Sequence, residues 1–245
     1  MKILSGILVV AMCLFYGCFS AQSVIKESNE KYPIPDNNVN KDISYYDNHT
    51  YPSVHFTYAR QKEEALHLSK LLNGFEDFLF RVWINSPTGT GIQDGELIEI
   101  RQTKGEWSGN FYTMKTKFVP SKNEEQVLEY EKYDIEPTNL TWNELLASLV
   151  EEGIFELKSL DQLEKYQQLP ENKKGYVKGS SVISFEVTTS TIYRFFHYFS
   201  LPEYLEFDEV RQADAIIKLL TKEFSINELI NGSSEIIIYD LRESK

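Results

Sequence analysis

The sequence predicts an α+β domain in which an antiparallel sheet carries about three packed helices. Two regions, 78–119 and 181–199, alternate apolar and polar side chains with the period of two that is typical of β-strands. A short turn joins strands inside the first region, and consecutive strands joined in this way usually pair. Three further segments repeat their apolar residues with helical spacing. These patterns favour a sheet covered by helices.

The region 78–119 is predicted to contribute three strands to that sheet. A strand-like run at 78–84 leads into a loop at 85–95, which is rich in Gly, Pro, Asn and Asp, residues that favour turns. Strands at 96–102 and 107–119 then form a hairpin around a Lys-Gly-Glu turn. Each of these two strands places most of its apolar side chains on one face, as a half-buried strand does.

Three amphipathic helices and four further strands complete the prediction. The helices are expected at 58–72, at 142–152 and from Asp208 onward, and the strands at 126–135, 181–189, 192–199 and 235–241. Asn73-Gly74 is a typical stop signal for the first helix. Thr141 and Glu144 have the spacing of a capping box, in which each side chain satisfies a backbone N–H of the other residue. The second helix therefore has the clearest start signal in the chain.

Residues 1–21 have the composition of a secretory signal peptide. One lysine, Lys2, precedes an apolar run at 7–16, and small residues follow it. The segment resembles bacterial export leaders, and its apolar run is shorter than the roughly 20 residues that a membrane span requires. We therefore expect an exported protein, periplasmic or secreted, without a membrane span in the mature chain. Residues 22–57 are predicted as an extended or disordered lead-in, and 58–245 as the α+β domain.

A second interpretation of the leader involves Cys18, because Gly17-Cys18 resembles the end of a lipoprotein signal. Cys18 would then carry a lipid anchor, and the protein would be a lipoprotein on a membrane surface. Cleavage after Ala21 or Ser20 would instead release a soluble product. Both cysteines lie in the leader, so that product would have no disulfide, cysteine-ligated metal or cysteine nucleophile.

The chain is acidic, with a formal net charge of −12 that becomes −13 when residues 1–21, whose only charged side chain is Lys2, are removed. Such a domain repels nucleic-acid phosphates and anionic lipid headgroups, so nucleic acid is not an expected partner. Two explanations of the acidity remain open. It either aids solubility or attracts a basic partner.

The sequence contains no catalytic signature, so we predict no catalytic residue, cofactor or metal. The loop Thr88-Gly89-Thr90-Gly91 lacks the lysine of a phosphate-binding P-loop, and none of the four histidines stands in a His-x-x-x-His frame. Ser180 lacks the second glycine of a nucleophile elbow. Glycosidase chemistry needs only two carboxylates, for which Glu99 and Glu129 are candidates on strands.

The aromatic strand near the C-terminus is the candidate binding surface. Tyr193, Phe195, His197 and Phe199 share one face of that strand, and aromatic side chains of this kind contribute strongly to recognition of peptides and glycans. A central strand in the core of a sheet shows the same pattern. The sequence therefore leaves two interpretations of this strand, a surface strip and a core strand.

Taken together, the residues favour a non-enzymatic binding or interaction protein whose partner is a protein, peptide or glycan. One alternative is an inhibitor or immunity-type protein with an acidic surface for a basic partner, which a contiguous acidic patch would favour. Another is a hydrolase with a carboxylate pair. That function requires a concave pocket in which the pKa of converging acids is perturbed.

Overall fold

The computed structural model describes residues 54–69, 77–87, 92–119, 124–174, 181–189, 193–226 and 236–238. The predicted leader, the possible lipidation site Cys18 and the lead-in up to residue 53 lie outside the described residues. So do the stop signal Asn73-Gly74 and the loop Thr88-Gly89-Thr90-Gly91.

The described chain forms helices and strands in the order that the sequence patterns predict. The helices are α1 (Val54–Ala65), α2 (Trp142–Glu151), the short α3 (Glu164–Gln167) and α4 (Asp208–Glu223). The strands are β1 (Phe78–Pro87), β2 (Ile92–Thr103), β3 (Glu106–Val119), β4 (Glu124–Ile135), β5 (Val182–Thr189), β6 (Tyr193–Phe199) and β7 (Ile236–Ile238). Within the described part of the chain, no helix combines the length and the apolar character that crossing a bilayer requires.

The strands form one antiparallel sheet in the order β6-β5-β1-β2-β3-β4-β7. Strands β1 to β4 are neighbours in both sequence and space, as expected for strands joined by short turns. Strand β5 returns after the helices to pair with the free side of β1, and β6 adds the outer strand on that side. The predicted α+β class with an antiparallel sheet is confirmed.

The first two strands are longer than the sequence predicts. The predicted loop at 85–95 is paired over most of its length, because β1 continues to Pro87 and β2 begins at Ile92. Asn85 lies opposite Gly95, and Pro87 lies opposite Gln93. The turn-favouring residues are therefore strand residues here, since ladder hydrogen bonds with the partner strand outweigh their weak local preference.

The two predicted helix signals near α1 and α2 have different outcomes. The capping box of α2 is confirmed: Glu144 N donates to Thr141 Oγ1 at 3.3 Å, and Thr141 N donates to Glu144 Oε2 at 2.8 Å. Helix α1 begins at Val54, inside the predicted lead-in, and ends at Ala65 rather than at Leu72.

A Schellman motif at His67 explains the early end of α1. His67 has a positive φ of 52°, Leu68 N donates to the Glu63 carbonyl, and His67 N donates to the Glu64 carbonyl. The left-handed residue turns the chain away from the helix axis. The sequence has no glycine at this position, and the predicted stop signal at Asn73 lies six residues further along the chain.

The two faces of the sheet are buried by different chemistry. The helical face, on the side of α2 and α4, is apolar; its cluster includes Phe80, Val82, Ile98, Phe111, Phe185 and Tyr198 of the sheet with Leu145, Leu149, Val210, Ala213, Ile216 and Leu220 of the helices. The α1 face has a smaller apolar cluster, formed by Leu79, Trp83, Leu97, Tyr112, Met114, Val127, Tyr130, Tyr193 and Phe195 with Ala59 and Leu66. That face also buries the charged residues Lys62, Glu63, Arg81, Glu99, Glu125 and Glu186.

Candidate functional site

The structure buries the aromatic strip that the sequence singled out as a candidate binding surface. Tyr193, Phe195 and His197 are only 1%, 3% and 5% exposed, and Phe199 is partly buried against the rings of Tyr166 and Tyr204. Tyr193 and Phe195 belong to the apolar cluster of the α1 face. The surface interpretation is therefore corrected, and the burial agrees with the other interpretation, a core strand.

The outer edge of β6 is occupied by a segment of the same chain. His197 N donates to Ser159 Oγ at 3.1 Å, and the His197 Nδ1 to Ser159 Oγ distance is 3.4 Å. From the opposite face of the strand, Arg194 donates to the carbonyls of Phe155 and Leu157. The segment 155–159 thus follows this edge, where an added peptide strand would have to pair.

His197 should make stability depend on pH. Its burial lowers the pKa from the ordinary 6.5 to about 4, so between these values the unfolded chain binds a proton that the folded chain does not. Stability is then lost as the pH falls through this window, by on the order of 3 kcal/mol in total. Urea unfolding of the wild type and of His197→Gln at pH 7 and pH 4 measures this loss of stability. The wild type should lose more stability than the variant, and equal losses would contradict the role of His197.

A concave cleft lies at the β2-β3-β4 corner of the sheet, on the same face as Phe111. Its volume is about 380 Å³, and it is lined by Asp94, Gly95, Glu96, Thr113, Met114, Lys115, Glu129, Tyr130, Glu131 and Tyr133. We call it the acidic cleft. Alternation along the strands places seven of these residues on this face of the sheet. The other three, Gly95, Met114 and Tyr130, are at the intervening positions.

Strand register arranges the charges of the acidic cleft in two rows. Asp94 lies opposite Lys115, which lies opposite Glu129 on the next strand. Two residues along the strands, Glu96 and Glu131 flank Thr113 in the same way. Antiparallel strands hold directly opposed Cβ atoms about 4.5–5.5 Å apart, so the sheet itself fixes these positions.

The carboxylates outnumber the cations in the acidic cleft. Lys115 Nζ lies 2.6 Å from Asp94 Oδ1, and this hydrogen bond is the main reason that the pKa of Lys115 is raised. Tyr133 OH donates to Glu131 Oε2 at 2.7 Å. Burial, and secondly the charge of Asp94, raises the pKa of Glu96. Among the lining residues, four carboxylates therefore surround one ammonium group.

The carboxylates that the sequence suggested as a glycosidase pair are not brought together. Glu99 lies on the α1 face, where its Oε2 accepts from Arg81 Nε at 2.7 Å, whereas Glu129 lines the acidic cleft. The described residues include no group of three or more His, Cys, Asp or Glu side chains arranged to hold a metal ion.

The sequence patterns did not predict the acidic cleft, although part of its signal is visible in them. Asp94 and Glu96 are two residues apart, as are Glu129 and Glu131, and each pair shares a face of its strand. The register of β3 with both of its neighbours brings the two pairs together, because Lys115 lies opposite both Asp94 and Glu129. Register between strands leaves no local signature, so alternation alone could not unite the pairs.

The layer between α1 and the sheet is a second cluster of charged groups. Arg81 pairs with Glu99, and Lys62 lies 3.3 Å from Glu125 Oε2. Burial lowers the pKa of Lys62, and Glu125 partly offsets that effect. Arg60 of α1 contacts the fully buried carboxylate of Glu186. These side chains come from five different elements, and ion pairs of Arg60, Lys62 and Glu63 join α1 to the sheet.

No protein-family model matches the chain, and no characterised protein or solved structure matches it either. The functional argument therefore rests on the geometry above.

Proposed function

We propose that this is a non-enzymatic binding protein that captures a cationic partner, a basic protein or peptide, in the acidic cleft. The observation that supports this proposal is the two-row arrangement of Asp94, Glu96, Glu129 and Glu131 around the single Lys115 in a concave site. Lysine or arginine side chains of a partner would lie between like charges and relieve their repulsion.

Two physical properties of the acidic cleft favour binding over a merely solvated charged face. The carboxylates stand on paired strands, so a partner meets positions that are already fixed and less ordering entropy is lost on binding. The raised pKa of Glu96 indicates that its negative charge is held at an energetic disadvantage in the free protein. A cation bound nearby would remove that disadvantage.

The net charge of the whole chain, −12, supports the same partner chemistry. A field of one sign raises the encounter rate with an oppositely charged protein and slows encounters with nucleic acid. The proposal includes the export predicted from residues 1–21, since a secreted or surface-held binder would meet basic partners outside the cytoplasm. An inhibitor or immunity-type role is one form of this function.

The double variant Glu96→Gln/Glu129→Gln is expected to weaken binding of an oligolysine probe by about tenfold or more, because each row loses a carboxylate. Isothermal titration of the full chain at fixed, low salt measures this change. A matched control, Glu203→Gln/Glu206→Gln, removes the same charge from exposed positions after β6. It should change the Kd by less than about twofold. Equal losses in both variants would show binding to overall charge and contradict the proposal.

A carboxylate-based hydrolase is the second candidate function, and the pKa of Glu96 is the observation that favours it. A glycosidase needs one carboxyl group whose pKa is raised, to act as general acid, and a second carboxylate that stays ionised. Glu96, whose pKa is raised, and its neighbour Asp94 lie together inside a concave site.

Turnover of oligosaccharides would distinguish the two functions. If the cleft is a hydrolase site, the wild type should release reducing ends from an oligosaccharide panel, and Glu96→Gln should lower that rate by about 100-fold or more. If the cleft only binds, neither protein should turn over any substrate, while the oligolysine affinity still depends on Glu96. Activity that is equal in the wild type and in Glu96→Gln would exclude Glu96 as the acid.

A further inference from the structure

The carboxylate of Glu186 lies on the α1 face of the sheet with no exposed surface. Two donors on neighbouring strands hold it: Tyr193 OH donates to Oε1 at 2.7 Å, and Trp83 Nε1 donates to Oε2 at 2.8 Å. Each oxygen thus has one donor that belongs to the sheet. The guanidinium of Arg60 also contacts Oε1, and it comes from α1.

The sheet therefore supplies a buried carboxylate whose two oxygens are each held by a donor from a neighbouring strand. A buried carboxylate with fixed orientation is the usual partner of a guanidinium, which matches it with several donors in one plane. The ring of Trp83 adds a second attraction for cations, since Lys62 Nζ lies 6.0 Å from its centroid. Lys62 thus approaches the ring of the same tryptophan that donates to Glu186.

Helix α1 is bound to the sheet by weaker chemistry than α2 and α4. Within 58–65, the part of α1 whose side chains are described, the buried residues are Ala59, Lys62 and Glu63, whereas α2 buries three leucines against the helical face. Burying ion pairs requires desolvation that largely offsets their attraction, while burying leucines is favourable throughout. The α1 layer should thus open at a lower free energy than the rest of the domain.

We propose that the Glu186 pocket, formed by Glu186, Trp83 and Tyr193, is a binding site for an arginine side chain of a partner, and that Arg60 fills it in cis. A partner arginine competes with Arg60, and its binding releases α1 from the sheet. This site is separate from the acidic cleft, which lies on the opposite face of the sheet. The proposal of an arginine site can therefore be confirmed or overturned independently of the proposed function.

Removing Arg60, which competes with a partner arginine for the Glu186 pocket, tests the proposal directly. In the full-length Arg60→Ala variant, millimolar methylguanidinium should raise the thermal midpoint in a saturable manner, by about 3–5 °C at roughly tenfold over its Kd. The wild type should not respond, since its own arginine fills the pocket. Methylammonium at equal ionic strength is the control, because it carries the same charge as methylguanidinium but lacks the planar set of N–H donors.

The double variant Arg60→Ala/Glu186→Gln locates the effect, because it lacks the carboxylate that would receive the probe. It should show no methylguanidinium response. The proposal is overturned if Arg60→Ala responds no more than the wild type, or if the double variant responds equally.

Hydrogen exchange of the wild type provides a test that needs no variant to fold. The probe must here compete with an arginine held at an effective concentration in the millimolar range or above, so about 100 mM methylguanidinium is required. The amides of α1 should then exchange at least about threefold faster than in 100 mM methylammonium, while those of α2 and α4 stay unchanged. Unchanged exchange in α1, or equal acceleration in all three helices, would overturn the proposal.

Discussion

Replacing Arg81 with methionine is expected to lower the free energy of unfolding by about 3–5 kcal/mol, because a buried charge pair loses one partner. The Arg81 guanidinium is fully buried. It donates from Nε to Glu99 Oε2 at 2.7 Å and from Nη2 to the Ser69 carbonyl at 3.0 Å. The Nη2 atom also lies 2.7 Å from Glu99 Oε2. Glu63 Oε2 lies 3.7 Å from Arg81 Nη1. Methionine fills most of the volume but leaves these carboxylates without the guanidinium.

Urea denaturation measures the loss from the shift in midpoint at constant slope. The double variant Arg81→Met/Glu99→Leu should recover most of the stability, because it replaces both ions by apolar groups. Arg211→Met is the matched control: Arg211 pairs with Asp208 at an exposed position, and such pairs contribute about 0–1 kcal/mol. A double variant no more stable than Arg81→Met alone would contradict the explanation by uncompensated charge.

Phe195→Ala is the second change with a large expected effect, again a loss of about 3–5 kcal/mol. Phe195 is 3% exposed and packs in the apolar cluster of the α1 face. Truncation removes a buried ring and leaves a cavity that the rigid strands cannot fill. Thermal and urea unfolding measure the loss, with Leu205→Ala as the control at a position 37% exposed.

The same variant tests the two interpretations of the aromatic strand. A core residue lowers stability when it is truncated, whereas a recognition residue on the surface leaves the unfolding midpoint nearly unchanged and abolishes partner capture. A Phe195→Ala protein with wild-type stability would refute the core assignment and restore the predicted binding surface.

The two faces of the sheet differ in the interactions that stabilise them. On the helical face, α2 and α4 bury aliphatic and aromatic side chains, which contribute free energy in proportion to apolar area. On the α1 face, ion pairs must be made in one geometry, since a misplaced partner leaves a buried charge uncompensated. Arg81 and Phe195 both lie on the α1 face, and their large expected effects come from two kinds of burial there, that of an ion pair and that of an apolar ring.

Local patterns were sufficient to predict the elements near the middle of the chain. Alternation identified β1 to β6, because a strand with one buried face imposes a period of two on its own residues. The capping box at Thr141 identified the start of α2, because both of its hydrogen bonds join residues three positions apart. The predicted end of α1 was wrong, because the chain turns at His67 in a left-handed conformation and histidine is not the residue type that signals such a stop.

The sequence by itself determined the α+β class, the strands and helices, and the excess of negative charge. Only the tertiary structure decided which faces are covered and which charges meet. Arg60 and Glu186 are 126 positions apart, and the acidic cleft depends on the register of three strands. Such contacts leave no periodic or local signal. The burial of His197 likewise follows from what packs over β6 and not from the composition of β6 itself.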